Sequence, residues 1–334
     1  MAGGQERVLR RRIRSIEATK KITRSFELIA ASQIARAQGR IAGSRPYLRA
    51  ISDILAETAA ESGSATRLLG MPEAPQNVLA LVIVADRGLA GAYNSSVLRV
   101  AERLIRSGAA RGESYRVMAI GKKAQAYFRF RHQPVERQFV GMSDRPSFED
   151  ARQVAAAIVP LFLDGELDLV QIVSTRIRSA SSQFVETRQL LPVLASEQPA
   201  RANAGAAPGE ADPGEAGPGE FAPTGRARLG FFEFEPDAEK LLAALIPQYV
   251  EAAIYGSLLE ASASEHSARQ RAMSAATENA EELLKTLRRV MNRARQDTIT
   301  TEIMEIVGGS EALRAAGGVA HDLNYPQATE EQTV

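Results

Sequence analysis

The stretch VMNRARQDTITTEIMEIVGG, residues 290–309, sets a polar band into an otherwise apolar helical pattern. Arg293, Arg295, Gln296, Asp297, Thr298, Thr300 and Thr301 crowd one level. Guanidinium and amide groups offer directional N–H donors to carboxylates and carbonyls, and threonine hydroxyls both donate and accept. That chemistry suits recognition of something outside the chain. Residues fit for catalysis are missing: there is no cysteine, and His132, His266 and His321 are scattered. Disulfides, thiolate metal sites and thiol switching are thereby excluded, and neither a zinc site nor a cofactor is expected. No GxSxG elbow is present. Glu281 and Glu282 are adjacent on a helical face, where solvation is the usual state of glutamate.

One further segment invites a chemical reading. DRGLAGAYN, residues 86–94, is a glycine-bearing loop between an apolar run and a helical segment, the place where phosphates bind in some folds. It lacks both GxGxxG and GxxxxGK[ST]. A tight strand-to-helix turn, with Gly88 and Gly91 permitting close packing, is the expectation.

The elements that must position these residues follow from periodicity. Upstream of the polar band, Met273, Ala276, Ala280, Leu283, Leu287, Val290 and Ala294 recur at alternating steps of three and four, and Ile299, Ile303 and Ile306 resume the seam. This is coiled-coil spacing. A second long helix opens the chain: Leu9, Ile13, Ile16, Phe26, Ala30, Gln33, Ala37, Ile41, Ser44, Leu48, Ile51 and Leu55 form its stripe. At 1.5 Å per residue the two helices would reach about 80 and about 105 Å, so each needs a long partner. They are expected to pair antiparallel. Small and polar residues along the stripe, with Lys20, Lys21, Gln33 and Ser44 on or beside it, suggest a narrow stalk enclosed by other surfaces.

Between them, strand and helix patterns alternate. NVLALVIVA, YRVMAIG, VERQFV, LDLVQIVS and SQFVETRQLLPV read as strands, with helices near Ser95–Arg106, over KKAQAYFRF and over 147–164. The expected fold class is α/β plus long helices: an antiparallel coiled coil of N- and C-terminal helices with a central small Rossmann-like α/β domain. The boundaries are 1–62 for the first helix, 77–195 for the α/β domain and 196–228 for a Pro/Gly-rich insert expected to be disordered. A return strand at 229–235, ending in FFEFE, precedes the second helix, 236–309, which Gly308-Gly309 should stop, and a tail at 310–334.

The bulk numbers fit a globular protein of 334 residues, 45% hydrophobic and 24% charged, with a formal net charge of +1. The opening MAGGQERVLRRRIRS lacks a signal-peptide apolar core, and no apolar run approaches the ~18 residues of a membrane span. The first helix is locally basic, with Arg7, Arg10, Arg11, Arg12, Arg14, Lys20, Lys21, Arg24, Arg36, Arg40, Arg45 and Arg49 against few acids. No stacking aromatics accompany them, so an acidic protein surface is a better match than nucleic acid. A basic coiled-coil scaffold or a nucleic-acid-binding protein is the alternative reading.

The residues also carry a resemblance. IRSIEATKKITRSFELIAASQIARAQGRIAGSRPY closely resembles the N-terminal helix of the γ subunit of bacterial F-type ATP synthases. DRGLAGAYN is similar to an internal turn of that family, and the segment from FEFEPDAEKLL to TTEIMEIVGG resembles its C-terminal helix. The likeness covers most of residues 5–195 and 230–313. It implies a central rotor shaft that couples ion flow through a membrane sector to ATP synthesis or hydrolysis on the β subunits, itself non-catalytic and binding no nucleotide. It implies as partners the α and β subunits of a catalytic hexamer, the ε subunit and the membrane c-ring, with no nucleic acid and no direct membrane insertion. The location implied is peripheral, at the cytoplasmic face of the cell membrane. Carried over residue by residue, Arg269, Arg295, Gln296 and Thr300 are implied as polar contacts to β loops, and Lys20, Lys21 and Arg24 as residues facing acidic β levers. Phe26 stands where the family often has Met, beside those levers. The insert falls where photosynthetic members carry a regulatory insert with two cysteines, which this sequence lacks.

Overall fold

The computed structural model describes residues 2–62, 74–177, 182–193 and 238–319. The insert at 196–228, the return strand at 229–235 and the tail from 320 onward lie outside the described residues. The elements are α1 (Ala2–Ser62), β1 (Asn77–Ile83), α2 (Tyr93–Ala110), β2 (Ser114–Ile120), α3 (Lys122–Phe130), β3 (Arg137–Phe139), α4 (Phe148–Leu163), β4 (Leu169–Ile177), β5 (Gln183–Leu191) and α5 (Ala238–Val319). They divide into two compact units, Met1–Phe26 with Met273–Val334, and Glu27–Ala272. Both long helices contribute to both units.

In the larger unit the sheet order is β3-β2-β1-β4-β5. Strands β3, β2, β1 and β4 run parallel, and β5 returns antiparallel on β4. Near-continuous apolar runs make β1 and β2 buried on both faces, as parallel strands require. Alternation then sorts the side chains. Leu79, Leu81, Ile83, Met118, Ile120 and Ile172 face one layer, where Ile158 and Phe162 of α4, Ile51 and Leu55 of α1, and Leu242, Ile246, Val250 and Ile254 of α5 cover them. Ala80, Val82, Val84, Val117, Ala119 and Val173 face the other, against Val97, Leu98 and Ala101 of α2 and Ala124 and Phe128 of α3. By composition and length α5 holds a window apolar enough to cross a membrane. The apolar face from Leu242 to Ala261 is buried in this core.

Local chemistry explains the boundaries. Ser147 caps α4: its side chain accepts from the Asp150 backbone N–H, and the Asp150 carboxylate accepts from the Ser147 N–H. Gly121 ends β2 at φ 97°, and a Cβ there would stand 2.2 Å from the Val84 carbonyl oxygen, so only glycine fits. In the β1–α2 turn Gly91 holds φ +55°, whereas a Cβ on Gly88 would meet only the Lys123 side chain at an ordinary 3.9 Å. Of the two glycines expected to permit that turn, Gly91 alone is demanded by the backbone. The expected stop at Gly308-Gly309 does not occur, and α5 runs through the pair to Val319. Glycine costs about 1 kcal/mol in a helix interior, and the good helix formers that follow, Glu311, Ala312, Leu313 and Arg314, carry the helix on.

Candidate functional site

The smaller unit is an antiparallel helix pair. Ile13, Leu284 and Leu287 form its buried cluster, with Leu9, Ile16 and Met291 packed against it. Further along, the Thr23 and Thr277 hydroxyls share a buried hydrogen bond of 2.8 Å. The α5 seam therefore runs Met273, Thr277, Ala280, Leu284, Leu287, Met291, Ala294, Thr298. This corrects the expected seam at alternate positions: Thr277, Leu284 and Met291 replace Ala276, Leu283 and Val290. Leu283 and Val290 are 41% and 47% exposed. On α1 Phe26, expected in the stripe, is 38% exposed, whereas Thr23, not among the expected stripe residues, is buried.

Ion pairs flank the seam. Lys20 Nζ stands 2.7 Å from Glu281 Oε1, and Arg288 Nη2 stands 2.6 Å from Glu17 Oε1. The Lys20 ammonium holds the Glu281 carboxyl below the usual carboxylate range, with Arg24 adding to the effect. Lys20 is thus engaged within the helix pair, while Lys21 and Arg24 are exposed beside it on α1.

The polar band lies on the exposed surface of α5. Arg295, Gln296 and Thr300 are all exposed. Thr300 Oγ1 donates to the Gln296 carbonyl at 3.0 Å, Thr301 to Asp297 and Thr298 to Ala294. The threonine protons are thus used inside the helix, and what the hydroxyls present outward is acceptor capacity. Arg295 and Gln296 supply the donors. Around and beyond this band Ile299, Ile303, Met304, Ile306 and Val307 are 44–72% exposed. A helix end that combines donors, acceptors and bare apolar side chains is built to be covered.

Arg269 sits elsewhere, in the larger unit, and departs from the expectation of a surface contact. It is 9% exposed. Its guanidinium donates to Glu265 Oε1 at 2.5 Å and to the Gly88 carbonyl at 3.4 Å, and lies 3.4 Å from His266 Nδ1. His266 Nε2 lies 3.2 Å from the Asp144 carbonyl oxygen, which also accepts from Ser262 Oγ at 3.0 Å. These partners place the histidine proton on Nε2 and leave Nδ1 to accept. Burial pushes the His266 pKa below its usual value, which keeps the ring neutral. Tyr93, the first residue of α2, donates to the Ala261 carbonyl at 3.2 Å. The β1–α2 turn before it is tied at its start, where the Asp86 carboxylate accepts from Lys122 N, Gly141 N and Ser143 Oγ at 2.9–3.1 Å. DRGLAGAYN is a latch between the sheet and α5. Sequence reasoning passed over Glu265, His266 and Tyr93. The available signal was the i,i+4 pair Glu265–Arg269 amid the small residues of SASEHSAR, a polar run on a helical face that also had to be buried.

Comparison with known proteins places this architecture. A family model described as ATP synthase matches residues 5–313. The ATP synthase gamma chain of Parafrankia sp. is 42% identical over 314 residues, covering 93% of this chain and 98% of that protein. That of Acidothermus cellulolyticus is 43% identical over 319 residues, covering 94% and 99%. Among solved structures, a chain of the Euglena gracilis mitochondrial ATP synthase rotor superposes with a TM-score of 0.59 at 19% identity, covering 89% of this chain and 99% of that one. A chain of the same organism's OSCP/F1/c-ring assembly gives 0.60 at 19%, covering 99% and 100%. At that identity the structures speak for the fold alone. The relatives speak for more, because they match from end to end, through both long helices and the α/β layer between them: the chain belongs to the ATP synthase gamma chain family.

Proposed function

We propose that this protein is the central rotor shaft of an F-type ATP synthase, coupling ion flow through the membrane sector to ATP synthesis or hydrolysis on the β subunits. It catalyses nothing alone. Its partners are the α and β subunits of the hexamer around the helix pair, the ε subunit and the membrane c-ring. It works peripherally, at the cytoplasmic face of the cell membrane. The observation that carries this reading is the end of α5: apolar and donor-rich side chains stand exposed on a helix of a family whose members are ATP synthase gamma chains. The polar band supports a turning part: Arg295, Gln296 and Thr300 stand exposed at one level of α5, so a neighbour exchanges hydrogen bonds with them as the shaft turns without withdrawing deep apolar knobs.

The proposed contacts to the β subunits are Arg295, Gln296 and Thr300 on α5 and Lys20, Lys21, Arg24 and Phe26 on α1. Arg269 is occupied internally and is left out. Purification of the tagged native protein should bring α, β and ε subunits with ATPase activity. In that complex, replacing Arg295 and Gln296 together by Ala should lower coupled synthesis and hydrolysis while the chain still assembles. Charge-assisted hydrogen bonds are worth about 1.5–3 kcal/mol each when desolvated. Wild-type rates in the double variant would remove the polar band from the mechanism.

A further inference from the structure

The buried cluster around Glu265 has a use beyond the shaft's contacts. Glu265 is 1% exposed. Its Oε1 accepts from Arg269, while Oε2, equally enclosed, has no hydrogen-bond partner among the described residues. A carboxylate with one bare oxygen in a dry interior is costly, and a proton on that oxygen removes the buried charge, the larger part of that cost. The groups that face it come from several elements. His266 and Arg269 lie on α5, Asp86 and Tyr93 on the β1–α2 segment, Asp144 after β3, and Arg40 on α1 reaches the same cluster through His266. His266 is neutral, so with Glu265 ionised three carboxylates share Arg269 and Arg40. Two of the acids have other support: Asp86 holds its three donors, and Asp144 is partly open to solvent.

The cluster also sits under a lid. Ala85, Ala90 and Tyr93 of the β1–α2 segment pack against Ala268 of α5, and Arg269 reaches the Gly88 carbonyl. Lifting this segment would hydrate Glu265.

We propose that Glu265 is a proton-binding site, and that its occupancy sets how tightly the β1–α2 segment is latched onto α5. In the closed latch the proton resides on Oε2 and Oε1 accepts from Arg269 as a carbonyl. On opening, the carboxyl reaches water and releases that one proton to solvent. Burial and the nearby Asp144 and Asp86 raise the closed-state pKa to about 7, against an ordinary 4.5. The sign follows from linkage. The closed state holds more protons than the open one between these values, so the latch is tightest at low pH and loosens as pH rises towards 7. His266 works with the opposite sign, since its depressed pKa makes the open state the better proton acceptor at low pH.

Amide hydrogen exchange of peptides spanning 86–94 and 261–272 in the full-length chain measures the opening constant directly. Glu265→Gln keeps an acceptor for Arg269 and mimics the protonated acid. The ratio of wild-type to Glu265→Gln opening should rise about tenfold per pH unit between about 5 and 7 and level above 7. His266 contributes equally to both proteins and cancels. A ratio independent of pH overturns the proposal. If Glu265→Gln does not fold, His266→Gln gives a second route: with the histidine removed and Glu265 intact, opening itself should climb with the same slope, and a flat or falling profile there overturns it equally.

Discussion

Single residues decide the phase of the helix pair. Leu283 and Leu284 are adjacent, as are Val290 and Met291, so the α5 sequence offers two nearly equivalent seams. The partner chooses between them: Leu9, Ile13 and Ile16 pack with Leu284, Leu287 and Met291. This gives a paired prediction. Leu287 is 8% exposed and Leu283 41%. Leu287→Asp buries a charge without a partner, which costs several kcal/mol, and thermal melting of the chain should fall clearly. Leu283→Asp leaves the charge in water and should stay within about 0.5 kcal/mol of the parent. Equal melting shifts in the two variants would mean that the seam phase is wrong. The Lys20–Glu281 pair is exposed and belongs to the class of surface ion pairs worth little on their own.

At the scale of elements, the strands were the most legible part of the sequence. NVLALVIVA, YRVMAIG and LDLVQIVS are short apolar runs closed by turn residues, and only buried parallel strands satisfy that pattern here. The two long helices were equally plain in their existence and direction. Their ends and their phase were not. Gly308-Gly309 reads as a stop in any local scheme, yet two glycines cost too little to end a helix whose flanks favour it. The candidate contacts were legible only in part. Arg295, Gln296 and Thr300 stand on the surface as their types suggest, but an arginine on a helix gives no local sign that it will turn inward. Arg269 did so because Glu265 lies one turn before it and a carbonyl from the β1–α2 turn arrives from far along the chain. The exposed end of α5 supports a further prediction. Ile303 and Ile306 are 54% and 72% exposed. Replacing both by Ser should leave the melting of the isolated chain unchanged and should weaken its retention in the α–β complex, measured by gel filtration of the reconstituted assembly. A lower melting temperature of the chain alone would show that these residues have partners within it.

Across the whole molecule, the Pro/Gly-rich segment 196–228 separates the α/β layer from α5 in sequence. It is rich in Pro, Gly, Ala and Glu with a single aromatic residue, a composition that argues for a spacer role. Replacing it by a short Gly/Ser linker in the assembled enzyme should leave hydrolysis unchanged over a range of ATP and ADP concentrations. Faster hydrolysis with synthesis kept would instead identify the segment as a brake. No thiol reductant can act through this chain, because it has no cysteine.

The three donors gathered by Asp86 have a consequence in time. Lys122 and Gly141 lie 36 and 55 residues further along the chain, and Ser143 lies 57. The carboxylate can close its ring only after β2, α3 and β3 have found their places, so the tie belongs late on the folding route. Contacts absent from the transition state govern escape from the native state while leaving entry into it untouched. Asp86→Ala should therefore speed unfolding severalfold in stopped-flow chevrons while the refolding limb overlays that of the parent. A slowed refolding limb would move the tie into the nucleus. If it is late, one carboxylate just past the end of the central strand β1 acts as a clasp on the lifetime of the native α/β layer.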